Sequence, residues 1–193
     1  MRRGLKNDFE RELEEKMNEV FKSPVAFAIA IFNIEPTPEQ AKLLYADGHI
    51  ILVEGPELSG RTTITFSRAL WQSLNRKGQL IAYITKNQKE ARRLKLHFKT
   101  LQFSAPLLKD RILSYSDDTY TFDTGSRLII TDDLKQAQKK LPDLMILDDA
   151  HKNKAIKDLD PKKAKTLILT YNPKEAQLEV KHNIKIELAQ ISP

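Results

Sequence analysis

The stretch ILVEGPELSGRTT, residues 51–63, contains an apolar run, a glycine, four further residues, a second glycine and then Arg-Thr-Thr. A short apolar run that is closed by a glycine is typical of a buried strand. Glycine adopts backbone conformations that other residues avoid, so Gly55 and Gly60 permit a tight loop directly after that strand. A helix is then predicted from Gly60 to about Asn75. The sequence therefore predicts a strand, a glycine-rich loop and a helix in direct succession.

This order of elements is that of a phosphate-binding loop, or P-loop, whose pattern is G-x-x-x-x-G-K-[ST]. Such a loop turns backbone N–H groups toward phosphate oxygens, and the N-terminus of the following helix adds partial positive charge. Thr62 would lie in the first helical turn, where a hydroxyl can bind Mg²⁺. One position departs from the pattern, because Arg61 replaces the lysine. The residues predicted to bind nucleotide here are Gly55, Pro56, Glu57, Leu58, Ser59, Gly60, Arg61, Thr62 and Thr63.

A second stretch, LMILDDAH at residues 144–151, places two carboxylates directly after four apolar residues. A magnesium site opposite a P-loop requires carboxylates at the end of a strand. Asp148 would hold the metal ion, and Asp149 would orient or deprotonate the attacking water. A buried strand that ends in a solvated acidic turn is the structural alternative. The occurrence of both motifs in this order, on predicted strands of one sheet, favours a nucleotide-binding fold.

Two further segments have a functional and a structural interpretation. Gln40, in PTPEQ, carries an amide that suits the edge of adenine, but the segment is also a plain helix start with a capping threonine. LILTYNP is a strand that ends in polar residues. There, Thr170 and Asn172 would contact the γ-phosphate and sense its loss, or the strand would simply run into an Asn-Pro turn.

The rest of the chain alternates apolar strands with amphipathic helices, which predicts a mainly parallel sheet with helices on both faces. Residues 1–24 are predicted to be an N-terminal helical appendage, with its helix over 5–22, and residues 25–193 a single domain. The further helices are predicted at 37–46, 87–102 and 133–140. The strands are predicted at 49–54, 79–85, 111–116, 144–150, 166–172 and 179–188, with a hairpin over 119–131 that turns at Thr124 and Gly125. The strand over 179–188 is expected at an edge of the sheet.

Composition limits the partners of this protein. The formal net charge of +6 and the pI of about 9.4 favour a polyanionic partner, although a lysine-rich solvated surface explains the same excess. The chain has no cysteine, which excludes disulfides and thiolate metal sites within it. The longest apolar stretch, residues 25–32, is far shorter than the roughly 20 residues that cross a bilayer. We therefore expect a soluble protein without a membrane partner.

The order of PTPEQ, GPELSGRTT, LMILDDAH and LILTYNP resembles the ATPase (motor) domain of viral large terminases and the related domain of superfamily 2 helicases. The resemblance covers roughly residues 32–175. It implies a three-layer α/β, RecA-like P-loop NTPase fold of the additional-strand type, with ATP and Mg²⁺ as cofactors. It also implies that Gln40 reads adenine and that Thr170 and Asn172 couple hydrolysis to movement. The strand GSRLIIT and the loop ending in G-R-T-T are more similar to terminases than to helicases.

The resemblance implies an ATP-hydrolysing motor that acts on double-stranded DNA during genome packaging. Its partners would be other copies of itself in a ring or other packaging subunits, in the cytoplasm of the host. Neither a terminase nuclease domain nor a second helicase lobe is expected in these residues. An arginine from a neighbouring subunit often completes such sites. The candidates for that role are Arg68, Arg92, Arg93, Arg111 and Arg127.

Two departures concern the expected catalytic residues. Arg61 replaces the P-loop lysine, and Asp149 replaces a glutamate that is one methylene longer. Both changes preserve charge and alter geometry, and a shift of about 1 Å in a positioned group can cost on the order of 10²-fold in rate. Three interpretations stay open: a weak ATPase motor, a nucleotide-binding pseudo-ATPase that regulates an assembly, and the first lobe of a superfamily 2 helicase.

Overall fold

The computed structural model of the chain describes Glu15 and residues 18–116, 118–175 and 181–190. Most of the helix predicted over 5–22 lies outside these described residues, while residues 18–22 are helical. Phe21 in this segment is buried, and its carbonyl oxygen accepts a 2.8 Å hydrogen bond from Trp71 Nε1. The segment that precedes Pro24 therefore packs directly on the body of the protein.

The described residues form an eight-stranded sheet and a set of helices. The strands are β1 (Ile50–Glu54), β2 (Leu80–Ile84), β3 (Ile112–Ser116), β4 (Thr119–Phe122), β5 (Arg127–Thr131), β6 (Leu144–Leu147), β7 (Thr166–Tyr171) and β8 (Ile184–Glu187). The helices are α1 (Pro24–Phe32), α2 (Pro38–Tyr45), α3 (Arg61–Asn75), α4 (Gln88–Ser104), α5 (Pro106–Lys109) and α6 (Leu134–Lys139). Short 3₁₀ turns cover Ala150–Lys152, Ile156–Asp158 and Pro161–Lys163.

The strand order is β3-β4-β5-β2-β6-β7-β1-β8. β4 runs antiparallel to both of its neighbours, and the other neighbouring strands are parallel. β7 lies between β1, which leads into the glycine loop, and β6, which leads into the two aspartates. This is the additional-strand arrangement that the resemblance to terminases and superfamily 2 helicases implies. Because the carboxyl ends of parallel strands meet at one edge, the loop and both aspartates lie together there.

The core has two layers, one on each face of the sheet. Successive residues of a strand point to opposite faces. Accordingly, Ile146 of β6 packs in the layer under α1, α3 and α4, whereas Met145 and Leu147 pack in the layer under α6. β6 is buried along its whole length, which explains why its sequence is apolar without alternation. The three-layer α/β fold expected from the sequence is therefore confirmed.

The predicted elements match the observed ones closely. The hairpin forms between β4 and β5, and β8 lies at an edge of the sheet, as predicted. A helix that the periodicity does not predict is α1, whose mostly apolar sequence gives no clear amphipathic pattern. Ser23 caps its N-terminus by accepting a hydrogen bond from the Ala26 amide at 3.2 Å. Within the described part of the chain, no helix combines the length and apolarity needed to span a membrane.

Candidate nucleotide-binding site

The glycine loop connects β1 to α3 and has the backbone geometry of an anion-binding loop. A Cβ atom at Gly55 would lie 2.6 Å from Ser59 Oγ and 3.1 Å from the Leu188 carbonyl oxygen, so any larger residue would require these neighbours to move. Gly60 has a φ of 76° and precedes the first residue of α3. Among the described residues, no side chain caps this helix end. The loop therefore leads into the positive end of a 15-residue helix, whose first amides are not capped by any described side chain.

Asp148 joins the loop to the sheet through two hydroxyl groups. Thr62 Oγ1 donates a 2.7 Å hydrogen bond to Asp148 Oδ2, and Thr170 Oγ1 donates one of 2.7 Å to Oδ1. The aspartate is only 8% exposed, and this burial raises the pKa of its carboxyl group, against the opposing effect of the two hydroxyl donors. The two predicted metal ligands, Thr62 and Asp148, are therefore in direct contact, although β7 separates the strands β1 and β6 that lead to them.

Asp149 has a different set of contacts. Its amide donates a 2.9 Å hydrogen bond to Thr170 Oγ1, and its backbone is left-handed, with a φ of 48°. Arg61 Nη2 lies 3.1 Å from Asp149 Oδ1, and Lys86 Nζ lies 3.0 Å from Oδ2. The carboxylate therefore pairs with one cation on each oxygen. Arg61 is buried, and within the described part of the chain its Nη1 atom has no hydrogen-bond partner.

Lys86 is a site residue that the sequence motifs do not identify. It follows Thr85 at the carboxyl end of β2, and β2 pairs with β6 so that Ile84 lies beside Leu147. This register brings the residues after β2 next to the two aspartates. A charged residue directly after a buried strand is the only sequence signal. That signal becomes informative only when β2 is known to neighbour β6.

The loop, the aspartates and Lys86 line one cleft of about 460 Å³. The predicted loop residues that line it are Pro56, Leu58, Ser59, Gly60, Arg61, Thr62 and Thr63. Gly55 lies beneath the loop, and the exposed Glu57 points to Lys152 at 3.9 Å. The opposite wall comes from one face of α4, which the sequence motifs also miss. Its residues, spaced three or four apart, are Glu90, Arg93, Leu94 and His97.

Gln40 lies against the loop rather than in this cleft. Its Nε2 atom donates to the Ser59 carbonyl oxygen at 3.0 Å, and its Oε1 atom accepts from the Thr37 amide at 3.0 Å. Thr37 Oγ1 in turn accepts from the Gln40 amide at 3.3 Å, which completes a capping box. The helix-capping interpretation is therefore confirmed. Each polar atom of the amide keeps one further hydrogen-bonding capacity, so adenine recognition stays a prediction.

Of the two coupling residues, only Thr170 contacts the aspartates. Asn172 lies farther along and donates a 2.7 Å hydrogen bond to Glu175 Oε1. Glu175 also pairs with Lys152 at 2.7 Å and with His151 at 3.1 Å. Its bonds to Lys152, His151 and Asn172, in that order of size, lower the pKa of Glu175 to about 2. Asn172 is thus linked through Glu175 to the segment that follows Asp149.

Two of the candidate arginines make contacts within the chain. Arg68 is buried and donates to the carbonyl oxygens of Leu43 and Ala46, and burial lowers its pKa to about 10. Arg111 pairs with Asp123 and lies 4.7 Å from the centroid of the Phe21 ring. A role for any of the candidate arginines in a neighbouring subunit stays a prediction.

Solved structures of known proteins share this fold. No family model matches the chain, and no curated protein matches it. The crystal structure of the HK97 bacteriophage large terminase is similar at a TM-score of 0.62 and 13% identity, over 79% of this chain and 37% of that one. The ATPase domain of the Thermus phage P74-26 large terminase is similar at a TM-score of 0.56 and 12% identity, over 77% of this chain and 69% of that one.

The chain has a RecA-like α/β fold, and the solved structures it resembles are phage large terminases and their ATPase domains. The resemblance stated from the motifs is confirmed at the level of the fold. The chain spans little more than a third of the length of the HK97 protein.

Proposed function

We propose that this chain is an ATP-binding and ATP-hydrolysing motor domain that acts on double-stranded DNA, as the ATPase of a genome-packaging terminase. The observation that carries the proposal is the 2.7 Å hydrogen bond between Thr62 and Asp148, which are 86 residues apart in sequence. It joins the P-loop hydroxyl to the strand-end carboxylate, which is the pair that a Mg-nucleotide site requires. The fold shared with large terminase ATPase domains supports the same proposal.

The donor set at the mouth of the loop fits Mg²⁺. This ion prefers hard oxygen ligands and usually binds through one or two protein groups, with phosphate oxygens and water completing the shell. Thr62 Oγ1 and Asp148 Oδ2 are two such oxygens. Within the described residues no cluster of three or more histidine or acidic side chains is placed to hold a metal, so the ion would depend on bound nucleotide. When bound, Mg²⁺ would neutralise phosphate charge.

The remaining site residues have separate roles in this proposal. The loop amides and Arg61 hold the phosphates, and Asp149 orients the attacking water or accepts its proton. Gln40 contacts adenine from the end of the loop. Thr170 bonds to Asp148 and Asp149 together, so it is placed to transmit a change at either carboxylate along β7 toward Asn172.

The partners and the location follow from the same proposal. Double-stranded DNA would bind through basic side chains, in keeping with the net charge of +6. Other copies of the chain in a ring, or other packaging subunits, would complete the motor in the host cytoplasm. Residues 25–193 would form the ATPase domain.

A second candidate is a nucleotide-binding module without turnover. It is favoured by the two ion pairs of Asp149, whose oxygens are both engaged by cations and not free to activate water. Such a module would sense ATP or support an assembly. The two proposals agree on nucleotide binding and differ in hydrolysis.

Phosphate release from Mg-ATP distinguishes them, measured with and without double-stranded DNA. The variants are Arg61→Lys, Asp149→Glu and the double variant, with Asp148→Ala as the inactive control. Turnover by the wild-type chain that DNA accelerates supports the motor. A silent wild type with an active double variant supports the binding module. A wild-type chain that binds no nucleotide contradicts both.

A further inference from the structure

We propose that Lys86 is a phosphate-binding residue of this cleft, which holds the terminal phosphate of ATP and releases Asp149 when it does so. This inference rests on the proposed nucleotide site and goes beyond its motifs. Lys86 Nζ lies 3.0 Å from Asp149 Oδ2. The side chain is 27% exposed and lines the cleft, so it is accessible to a ligand.

The backbone holds Lys86 firmly at this place. The Thr85 amide donates to the Thr131 carbonyl oxygen at 2.9 Å, and Thr85 Oγ1 donates to the Asn87 carbonyl oxygen at 2.9 Å. Asn153 Nδ2 donates to the Thr85 carbonyl oxygen at 3.2 Å. These bonds brace the turn after β2 from both sides. The position of Lys86 is therefore set by the sheet edge and not by its ion pair alone.

The positive charges that contact Asp149 exceed its single negative charge. Two cations, Arg61 and Lys86, share a single carboxylate. Asp148 does not balance the excess by direct contact, because its oxygens accept from the hydroxyls of Thr62 and Thr170. Arg61 lines the same cleft, and its buried Nη1 atom has no partner among the described residues. An unpaired guanidinium nitrogen and an excess cation beside the N-terminus of α3 match a polyvalent anion.

The two cations differ in the contacts they can form. The guanidinium of Arg61 is a rigid planar fork, whereas the ammonium of Lys86 is a compact charge on a flexible stem. Lys86 can therefore leave Asp149 and follow a phosphate oxygen with little rearrangement. In this way a residue from the end of β2 supplies the mobile ammonium that the loop lacks at position 61.

This exchange predicts discrimination between nucleotides. A terminal phosphate brings more negative charge than the Asp149 carboxylate, so it would draw Lys86 away and leave Asp149 Oδ2 free for water. ADP lacks that phosphate and would leave the ion pair between Lys86 and Asp149 in place. Lys86 should therefore strengthen the binding of ATP more than that of ADP.

Calorimetric titration of the full chain with Mg-AMP-PNP and with Mg-ADP tests this inference. The variants are Lys86→Gln and Lys86→Arg, and the control is Lys89→Gln, an exposed lysine of α4 that does not line the cleft. Loss of a hydrogen bond to a charged group predicts an AMP-PNP affinity about 10- to 100-fold lower in Lys86→Gln. ADP affinity should change about threefold or less, Lys86→Arg should recover part of the loss, and Lys89→Gln should match the wild type.

Equal losses for the two nucleotides, or no loss in Lys86→Gln, would overturn the role of Lys86 and leave the proposed function intact. A wild-type chain that binds neither nucleotide would overturn the proposed function itself. Melting temperatures of all variants establish that each one is folded, and Lys86→Arg keeps the charge if Lys86→Gln fails to fold.

Discussion

Asp148 and Asp149 are adjacent in sequence and have opposite surroundings. Asp148 accepts hydrogen bonds from two neutral hydroxyls, those of Thr62 and Thr170, and burial raises its pKa. Asp149 is paired with two cations, Arg61 and Lys86. β6 ends at Leu147, and the backbone of Asp149 is left-handed.

Two identical side chains in one motif thus acquire different chemistry from the residues that surround them. Burying a carboxylate is costly unless a positive charge compensates it, and in the proposed function a metal ion would supply that charge at Asp148. A carboxylate that is already paired is inactive as a base until its cations move. In the same proposal, Asp149 would therefore act only after nucleotide has bound.

Asp148→Asn should produce the largest effect. It removes the charge that would hold Mg²⁺, whose stabilisation of transition-state charge amounts to several kcal/mol, so we expect phosphate release to fall about 10²- to 10³-fold. The matched control is Asp143→Asn, at the other end of β6, where Asp143 pairs with Lys165. Similar losses in both variants would show that the change acts through the strand and not through a metal site.

Asp149→Asn should separate binding from hydrolysis. Loss of a general base predicts phosphate release about 10²-fold slower. At the same time Arg61 and Lys86 lose their competing partner, so Mg-AMP-PNP should bind about 2- to 5-fold more tightly. Calorimetry measures the affinity, and Asp148→Asn should shift it in the opposite direction. Weaker binding in Asp149→Asn would remove the proposed competition between carboxylate and phosphate.

Thr170→Val tests the residue that both aspartates share. The variant keeps the shape of the side chain and leaves Asp148 Oδ1 and the Asp149 amide without their partner, which should lower the free energy of unfolding by about 1–3 kcal/mol. Urea denaturation measures the loss. Thr166→Val, at the opposite end of β7, is the control and should change stability far less. Equal losses would indicate a general effect of valine on the strand.

Asp148→Asn should also stabilise the metal-free protein, which is the smallest effect. Because burial raises the pKa of Asp148 above the ordinary 3.8, the ionised form opposes folding at neutral pH. Asparagine can bond to both hydroxyls without carrying a charge. The melting temperature of the Asp148→Asn variant at pH 7 should therefore exceed that of the wild type, by about 2–4 °C for each kcal/mol gained. The advantage should disappear as the pH falls toward 3.8, where the wild-type carboxyl is protonated. Asp149→Asn loses two ion pairs, so its melting temperature should fall below that of the wild type. A melting temperature below the wild type for Asp148→Asn would contradict this account.

Local patterns predicted most of the fold. The apolar run of β6, the glycines around the loop and the hairpin between β4 and β5 each depend on neighbours in sequence, so periodicity and turn residues identify them. The helix α1 was not predicted, because its run of apolar residues has no periodicity that would distinguish a helix from a strand. The bond between Thr62 and Asp148 was predictable only because two motifs with known chemistry occur in order.

Local patterns in the sequence specify the alternation of strands and helices, the glycine loop and the two carboxylates after β6. The positions of β2 beside β6, and of β7 between β6 and β1, depend on the tertiary structure. Those pairings place Lys86 on Asp149 and Thr170 on both aspartates. The physical reason is that strand order is set by packing between distant segments, whereas the motifs are set by the local geometry of the backbone.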